Sequence, residues 1–203
     1  MEEVVGQYNG SLTREQFMFR EMRIVAGLYQ SGATQEETLE RVCAENLFQY
    51  PTEREIRGKC RTALKRLMYI TIEPVFIDML ANGAPVEAKQ VALLAMMCQS
   101  RLVADFMVSV IGNKYRLLDM TITRKDLNLF FADLCAKDEG VAGWSQATIR
   151  KIQSVLLNIL HDNGYIENTR SEILCPVLIS MEFEQALRNA GFQAYLPAFN
   201  VLD

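Results

Sequence analysis

The sequence predicts a mainly α protein: a helical bundle with a helix-turn-helix-like N-terminal region and a C-terminal winged-helix-like region that carries a small β-ribbon. Three observations predict it. Half of the 203 residues are hydrophobic, enough to build one good core or two modest ones. Apolar positions recur three and four residues apart between hydroxyl caps and Gly or Asn-Gly stops. After Asn163-Gly164 the pattern changes to short apolar runs of strand length.

The elements follow from their end signals. Thr13-x-x-Gln16, Thr34-x-x-Glu37 and Thr52-x-x-Glu55 each fit a capping box, in which a hydroxyl and a side chain three residues on satisfy free amides of the first turn. They predict helices over 14–29, ending at Ser31-Gly32, over 35–45, and over 53–69. Pro74 opens a short helix that stops at Asn82-Gly83, and Pro85 opens a long apolar one that runs to Gly112-Asn113. Around 118–123 the pattern lapses. Thr123 and Ser145 then cap helices over 124–136 and 146–162, with Trp144 placed as a hydrophobic staple for the second. The residues 165–167, a polar turn at 168–172 and the residues 173–179 read as a hairpin, with Pro176 confining its strand to an edge. A boundary near Met120 divides a helical N-terminal domain, 1–120, from a winged-helix-like domain, 121–203; the helix-turn-helix-like segment is 34–70.

Charge is unevenly distributed. The chain holds 25 acidic and 21 basic residues, a net charge of −4, which excludes a histone-like, wholly cationic surface. The residues 52–66 nevertheless carry six cations, Arg54, Arg57, Lys59, Arg61, Lys65 and Arg66, against Glu53 and Glu55, a local +4 that leaves −8 for the rest. Arg54, Arg57, Arg61 and Lys65 are spaced three, four and four apart and share one helix face, while Ile56, Cys60, Ala63, Leu64 and Leu67 form another. Such a helix buries one side and offers cations on the other, which makes Arg54, Arg57, Lys59, Arg61, Lys65 and Arg66 the candidate DNA-binding residues. Arginine suits phosphate or the guanine O6/N7 edge because its planar fork donates two hydrogen bonds. The bland alternative is a solvated cationic face that binds nothing charged. Arg150 and Lys151, on the helix before the expected wing, form a second candidate whose buried face is Ile149, Ile152, Leu156 and Ile159.

Catalysis finds little support. His161, the only histidine, sits at a helix C-terminus, where an imidazolium interacts favourably with the last carbonyls, and no patterned nucleophile accompanies it. Glycine-rich phosphate cradles are absent from the sequence. Asp78 with Glu87-x-Lys89 has the residue types of a magnesium nuclease site, but such sites stand on paired strands and these residues fall in helices. Cys43, Cys60, Cys98, Cys135 and Cys175 are scattered and odd in number, which fits reduced, buried thiols and no zinc site. The apolar run 91–111 has Gln99, Ser100, Arg101 and Asp105 at its centre, so it reads as a core helix and not a membrane span. With no secretion signal at the N-terminus, the expected location is the cytoplasm. No cofactor, metal or small-molecule substrate is expected.

Several stretches together carry a family resemblance: Phe17-Met18-Phe19-Arg20-Glu21-Met22-Arg23-Ile24-Val25-Ala26; Glu45-Asn46-Leu47-Phe48-Gln49-Tyr50; Trp144-Ser145-Gln146-Ala147-Thr148-Ile149-Arg150-Lys151; Leu156-Leu157-Asn158-Ile159-Leu160; and Gly164-Tyr165-Ile166. In this order they resemble the BrxA family of bacterial BREX phage-defence systems, from near the N-terminus to about residue 179. The resemblance implies a small helical protein encoded in a multi-gene island that tells self DNA from phage DNA by methylation. It further implies a DNA-binding, non-catalytic role alongside the other BREX components, with double-stranded DNA contacted by Arg54, Arg57, Arg61 and Lys65 and by Arg150 and Lys151. A protein-interaction subunit and an RNA-binding protein remain the competing classes.

Overall fold

The structure, a computed structural model, describes residues 7–14 and 16–201, and among these helix dominates and no strand forms. The helices are α1 (Phe19–Gln30), α2 (Gln35–Ala44), α3 (Glu53–Ile70), α4 (Pro74–Asn82), α5 (Pro85–Gln99), α6 (Arg101–Asp105), α7 (Asn113–Arg116), α8 (Arg124–Lys137), α9 (Glu139–Ala142), α10 (Gln146–Asp162) and α11 (Met181–Asn189). A π-helical stretch, Phe106–Gly112, joins α6 to α7, and 3-10 turns lie at Gly10–Thr13 and Gln193–Phe199.

Hydroxyl caps account for most starts. Thr34 accepts from the Glu37 amide while the Glu37 carboxylate accepts from the Thr34 amide, a complete capping box. Thr123 and Asp126 form the same box on α8. Thr52 and Ser145 each accept from the amide three residues on, at 3.3 and 3.1 Å. Thr13 does not start a helix. It ends the 3-10 turn, and α1 begins only at Phe19, after Met18 in the left-handed region (φ 59).

Two expected features are corrected. The long apolar helix breaks at Ser100, whose backbone is extended (φ −118, ψ 102) and whose hydroxyl restarts the helix by capping Val103. The β-ribbon is absent: Thr121 and Ile173 make an isolated antiparallel bridge, and 165–179 is otherwise irregular. The segment around Ile173 finds its backbone partners at 120–122, with Leu174 N–H donating to Met120 O at 3.0 Å and Ile122 N–H to Glu172 O at 2.9 Å. Pro176 has no N–H with which to extend that ladder. Without a ribbon there is no wing. Residues 180–199, to which the sequence reading gave no element, form α11 and a 3-10 turn.

The described residues fall into two compact units. One, the α3 unit, comprises Phe17–Gln99 and Ser180–Ala190; the other, the α10 unit, comprises the segment ending at Gln16, Ser100–Ile179 and the segment from Gly191. In the α3 unit, Met22, Val25, Cys60, Leu67, Phe76, Leu80, Val91 and Leu94 are almost fully buried. Helix α5 is buried nearly all round from Ala88 to Cys98, so its apolar run is that of a central helix wrapped by protein. Helix α11 is held by Phe183, whose ring meets Phe76 edge-on at 5.8 Å, and by Ser180, whose hydroxyl donates to Glu87 at 2.6 Å. Two buried tyrosines organise the α10 unit: Tyr165 donates to Ala198 O at 2.9 Å and Tyr115 to Cys175 O at 2.7 Å. At Gly112 the backbone runs so close to the 3-10 turn that a Cβ would stand 2.8 Å from Pro197, which explains the glycine there. Among the described residues no single helix is long and apolar enough to cross a membrane.

Candidate nucleic-acid interface

The helix period decides which cations of α3 face outward. At roughly 100° per residue, Arg61 and Lys65 fall within about 20° of Arg54 around the helix axis, and Arg57 lies about 60° to one side. Arg54, Arg61 and Lys65 are all exposed and have no ion-pair partner among the described residues. At 1.5 Å per residue, this stripe is about 16 Å long, comparable to the axial rise of roughly five base pairs. Arg57 is partly neutralised. Its guanidinium donates to the Glu53 carboxylate at 2.7 Å, and this bond raises its pKa.

Arg66 does not belong to the stripe. It lies about 120° from Arg54 at the helix period, on the flank of the buried face, and is 1% exposed. Its guanidinium donates to Gln99 Oε1 at 2.7 Å and to Phe17 O at 3.0 Å, tying the entrance of α1 and the end of α5 to α3. Arg66, expected from the sequence to be a DNA contact, is instead a structural cation: at 1% exposure it cannot reach a ligand on the helix surface. Lys59, about 140° from Arg54 at the same period, is half-buried and off the stripe.

In the α10 unit, Arg150 and Lys151 are both exposed. Arg150 lines a cleft of about 530 Å³ between α8 and α10, together with Arg124, Asn128, Gln146 and Gln153. Arg124 was not singled out in the sequence. It stands 26 positions away at the first residue of α8, and only the packing of two helices brings it to Arg150.

The residues of the nuclease-like pattern have other partners. Asp78 accepts from Gln30 at 2.8 Å and from Asn82 at 2.7 Å, and these bonds hold its carboxyl below the usual range, Asn82 most strongly. Glu87 accepts from Ser180, and the Lys89 ammonium lies 5.9 Å from the Phe19 ring centroid. His161 is exposed at the end of α10, 3.3 Å from the Asp162 carboxylate. Cys60 and Cys98 are buried and Cys43, Cys135 and Cys175 half-buried, all as free thiols; burial pushes the Cys60 thiol up to about 12, which leaves it protonated and inert.

The family model BrxA matches residues 6–191 of the sequence. The chain belongs to the BrxA family. Among similar BrxA proteins, "BREX protein BrxA" of Bacillus cereus (strain H3081.97) is 28% identical over 191 residues, covering 93% of this chain and 94% of the relative. The protein of the same name from Paramagnetospirillum magneticum (strain ATCC 700264 / AMB-1) is 26% identical over 181 residues, covering 89% and 90%. That from Escherichia coli O9:H4 (strain HS) is 24% identical over 184 residues, covering 91% and 85%. The fold is similar to that in a crystal structure of an uncharacterized protein from Magnetospirillum magneticum, with a TM-score of 0.79 at 24% identity over 96% of this chain and 98% of the other. BrxA membership thus spans both units and α3 with its cations.

Proposed function

We propose that the protein is a non-catalytic, DNA-binding accessory component of a BREX-type phage-defence system, acting in the cytoplasm beside other BREX components. Its contact surface is the outer face of α3. The observation that carries this reading is the stripe of Arg54, Arg61 and Lys65: three cations, aligned, exposed and without an ion-pair partner among the described residues, in a chain that is otherwise acidic. Unpaired cations lose no ion pair on meeting phosphate, and each displaces condensed counterions from the duplex. Helices α2 and α3 form a helix-turn-helix-like pair, but eight residues, 45–52, separate them, against three or four in the compact motif. That longer link favours a helix that tracks phosphates over one fixed for reading base edges. Arg150 and Arg124, on the α8/α10 cleft, and Lys151 supply a second, weaker contact.

The test is fluorescence anisotropy with labelled duplex DNA, using the wild type and an Arg54→Ala, Arg61→Ala, Lys65→Ala variant, with unlabelled duplex and structured RNA as competitors. A loss of affinity of about a hundredfold or more is expected in the triple variant at low salt, with duplex the stronger competitor. Undiminished binding by the folded triple variant would remove α3 from the account, and stronger competition by RNA would make RNA the ligand.

A further inference from the structure

The same two cations that end the stripe also border an apolar groove. Between α2 and α3 lies a groove of about 600 Å³, with Leu39, Leu64, Met68 and Tyr69 as its apolar lining. Arg61 and Lys65 stand on the α3 rim and Glu36 on the α2 rim, with Gln35 at one end, its amide donating to the Met68 sulfur at 3.0 Å. Tyr69 is 42% exposed, and Leu39 and Met68 are half-buried. A surface made only to hold phosphate has no use for such a lining, because a phosphodiester gains nothing from apolar walls, whereas an apolar partner that covers those walls removes them from water at a gain.

We infer that this groove takes an amphipathic helical segment of a partner protein, apolar on the face it inserts and acidic on the flank that meets α3, and that its occupancy competes with duplex DNA for Arg61 and Lys65. The lining suits apolar anchors repeated at i, i+3 or i+4 and i+7, the usual pattern of a helix laid in a groove between two others. Arg61 and Lys65 are one helical turn apart, so they match two carboxylates one turn apart on the occupant. Glu36 on the opposite rim repels an occupant acidic on both flanks and thereby fixes its orientation. Neither Arg61 nor Lys65 is engaged by an acid of this chain among the described residues, so the charge is available. The competition rests on the proposed contact of the stripe with DNA; the docking does not. Occupied, the groove leaves Arg54 as the uncompensated cation of the stripe, and the salt slope of DNA binding drops by roughly 2.

The experiment uses the full chain and a labelled synthetic helical peptide with a leucine and phenylalanine face flanked on one side by glutamates, with a peptide of identical apolar face and lysine flanks as control. The acidic peptide is expected to bind and the lysine peptide to bind at least about tenfold more weakly. Leu39→Gln with Met68→Gln weakens the acidic peptide by about tenfold and leaves DNA affinity unchanged. Tyr69→Ser, at a site exposed enough to spare the fold, acts in the same direction. Arg54→Ala weakens DNA and spares the peptide, Arg61→Ala weakens both, and added duplex displaces the peptide. Equal binding of the two peptides, or indifference to the groove variants, overturns the docking site. Self-association in sedimentation that the groove variants abolish would also overturn it, by making a second copy the occupant. If the peptide behaves as stated but no variant binds DNA, the DNA reading and the competition fail while the docking site stands.

Discussion

The α3 helix and the Lys114 cluster of the α10 unit use positive charge in opposite ways. On α3, Arg54, Arg61 and Lys65 are exposed and form no ion pair among the described residues. Lys114, 8% exposed, is closed between Asp119 at 2.8 Å and Asp126 at 3.0 Å. Burial alone would lower its pKa, but the hydrogen bonds to the two aspartates carry it above the ordinary lysine value. Lys114 and Thr121 in turn hold the Asp119 carboxyl below its usual range; burial pulls Asp126 upward, and Thr123 and Lys114 outweigh it. The lesson is that cation count alone says nothing about ligand binding. Solvation and pairing separate charge held for a partner from charge that holds the fold, and Arg66 shows both kinds within one helix.

The largest effect should come from breaking that distinction at Arg66. Arg66→Ala strands the Phe17 carbonyl in the interior, takes the partner from the half-buried Gln99 amide oxygen and should cost about 2–4 kcal/mol in urea unfolding, while the DNA affinity of the folded protein stays unchanged. A reduced affinity without lost stability would return Arg66 to the interface. Next is Lys114→Met, expected to cost about 1–2 kcal/mol, less than a fully buried pair because both carboxylates reach solvent. Here pH sharpens the comparison. Aspartates with depressed pKa values contribute stability that is present above the unfolded value of about 4 and is lost as pH falls through the lower folded values. The raised Lys114 contributes stability that is present below about pH 10 and is lost as pH rises through its folded value. Acid and alkaline unfolding limbs should both flatten in Lys114→Met, and should stay as they are in Arg54→Ala. The smallest effect belongs to Thr34→Ala, which removes the capping box of α2 at about 1 kcal/mol and, by loosening α2 against α3, is read as faster amide exchange at Glu36 and Glu37.

Local chemistry was legible in the sequence and distant chemistry was not. Thr34, Thr52, Thr123 and Ser145 announced α2, α3, α8 and α10 because a cap is a three-residue event. The outward face of α3 followed from the same helix period that, applied strictly, already sets Arg66 apart. Thr13 misled because its hydroxyl closes a turn onto Gly10 O at 2.9 Å instead of capping forward. The break at Ser100 was missed because the polar residues Gln99, Ser100 and Arg101 are equally compatible with the wet edge of one continuous helix. The ribbon failed because 172–174 pairs with 120–122, some fifty positions away, while toward 165–167 a single backbone bond forms among the described residues, Cys175 N–H donating to Tyr165 O at 2.7 Å. The signals of α11 were present: Ser180 as cap, Glu182 and Glu184 in the first turn, and Gly191 at φ 79 after the last. The Arg124–Arg150 cleft had no sequence signal, since it depends on how α8 meets α10.

The most direct measurement is the salt dependence of duplex binding for the wild type and for the Arg54→Ala, Arg61→Ala, Lys65→Ala variant. If the stripe contacts three phosphates, the magnitude of the slope of log K against log salt falls by roughly 3 in the variant, at about 0.9 per contact. An unchanged slope and affinity would contradict the claim that these three unpaired cations are the DNA-binding surface.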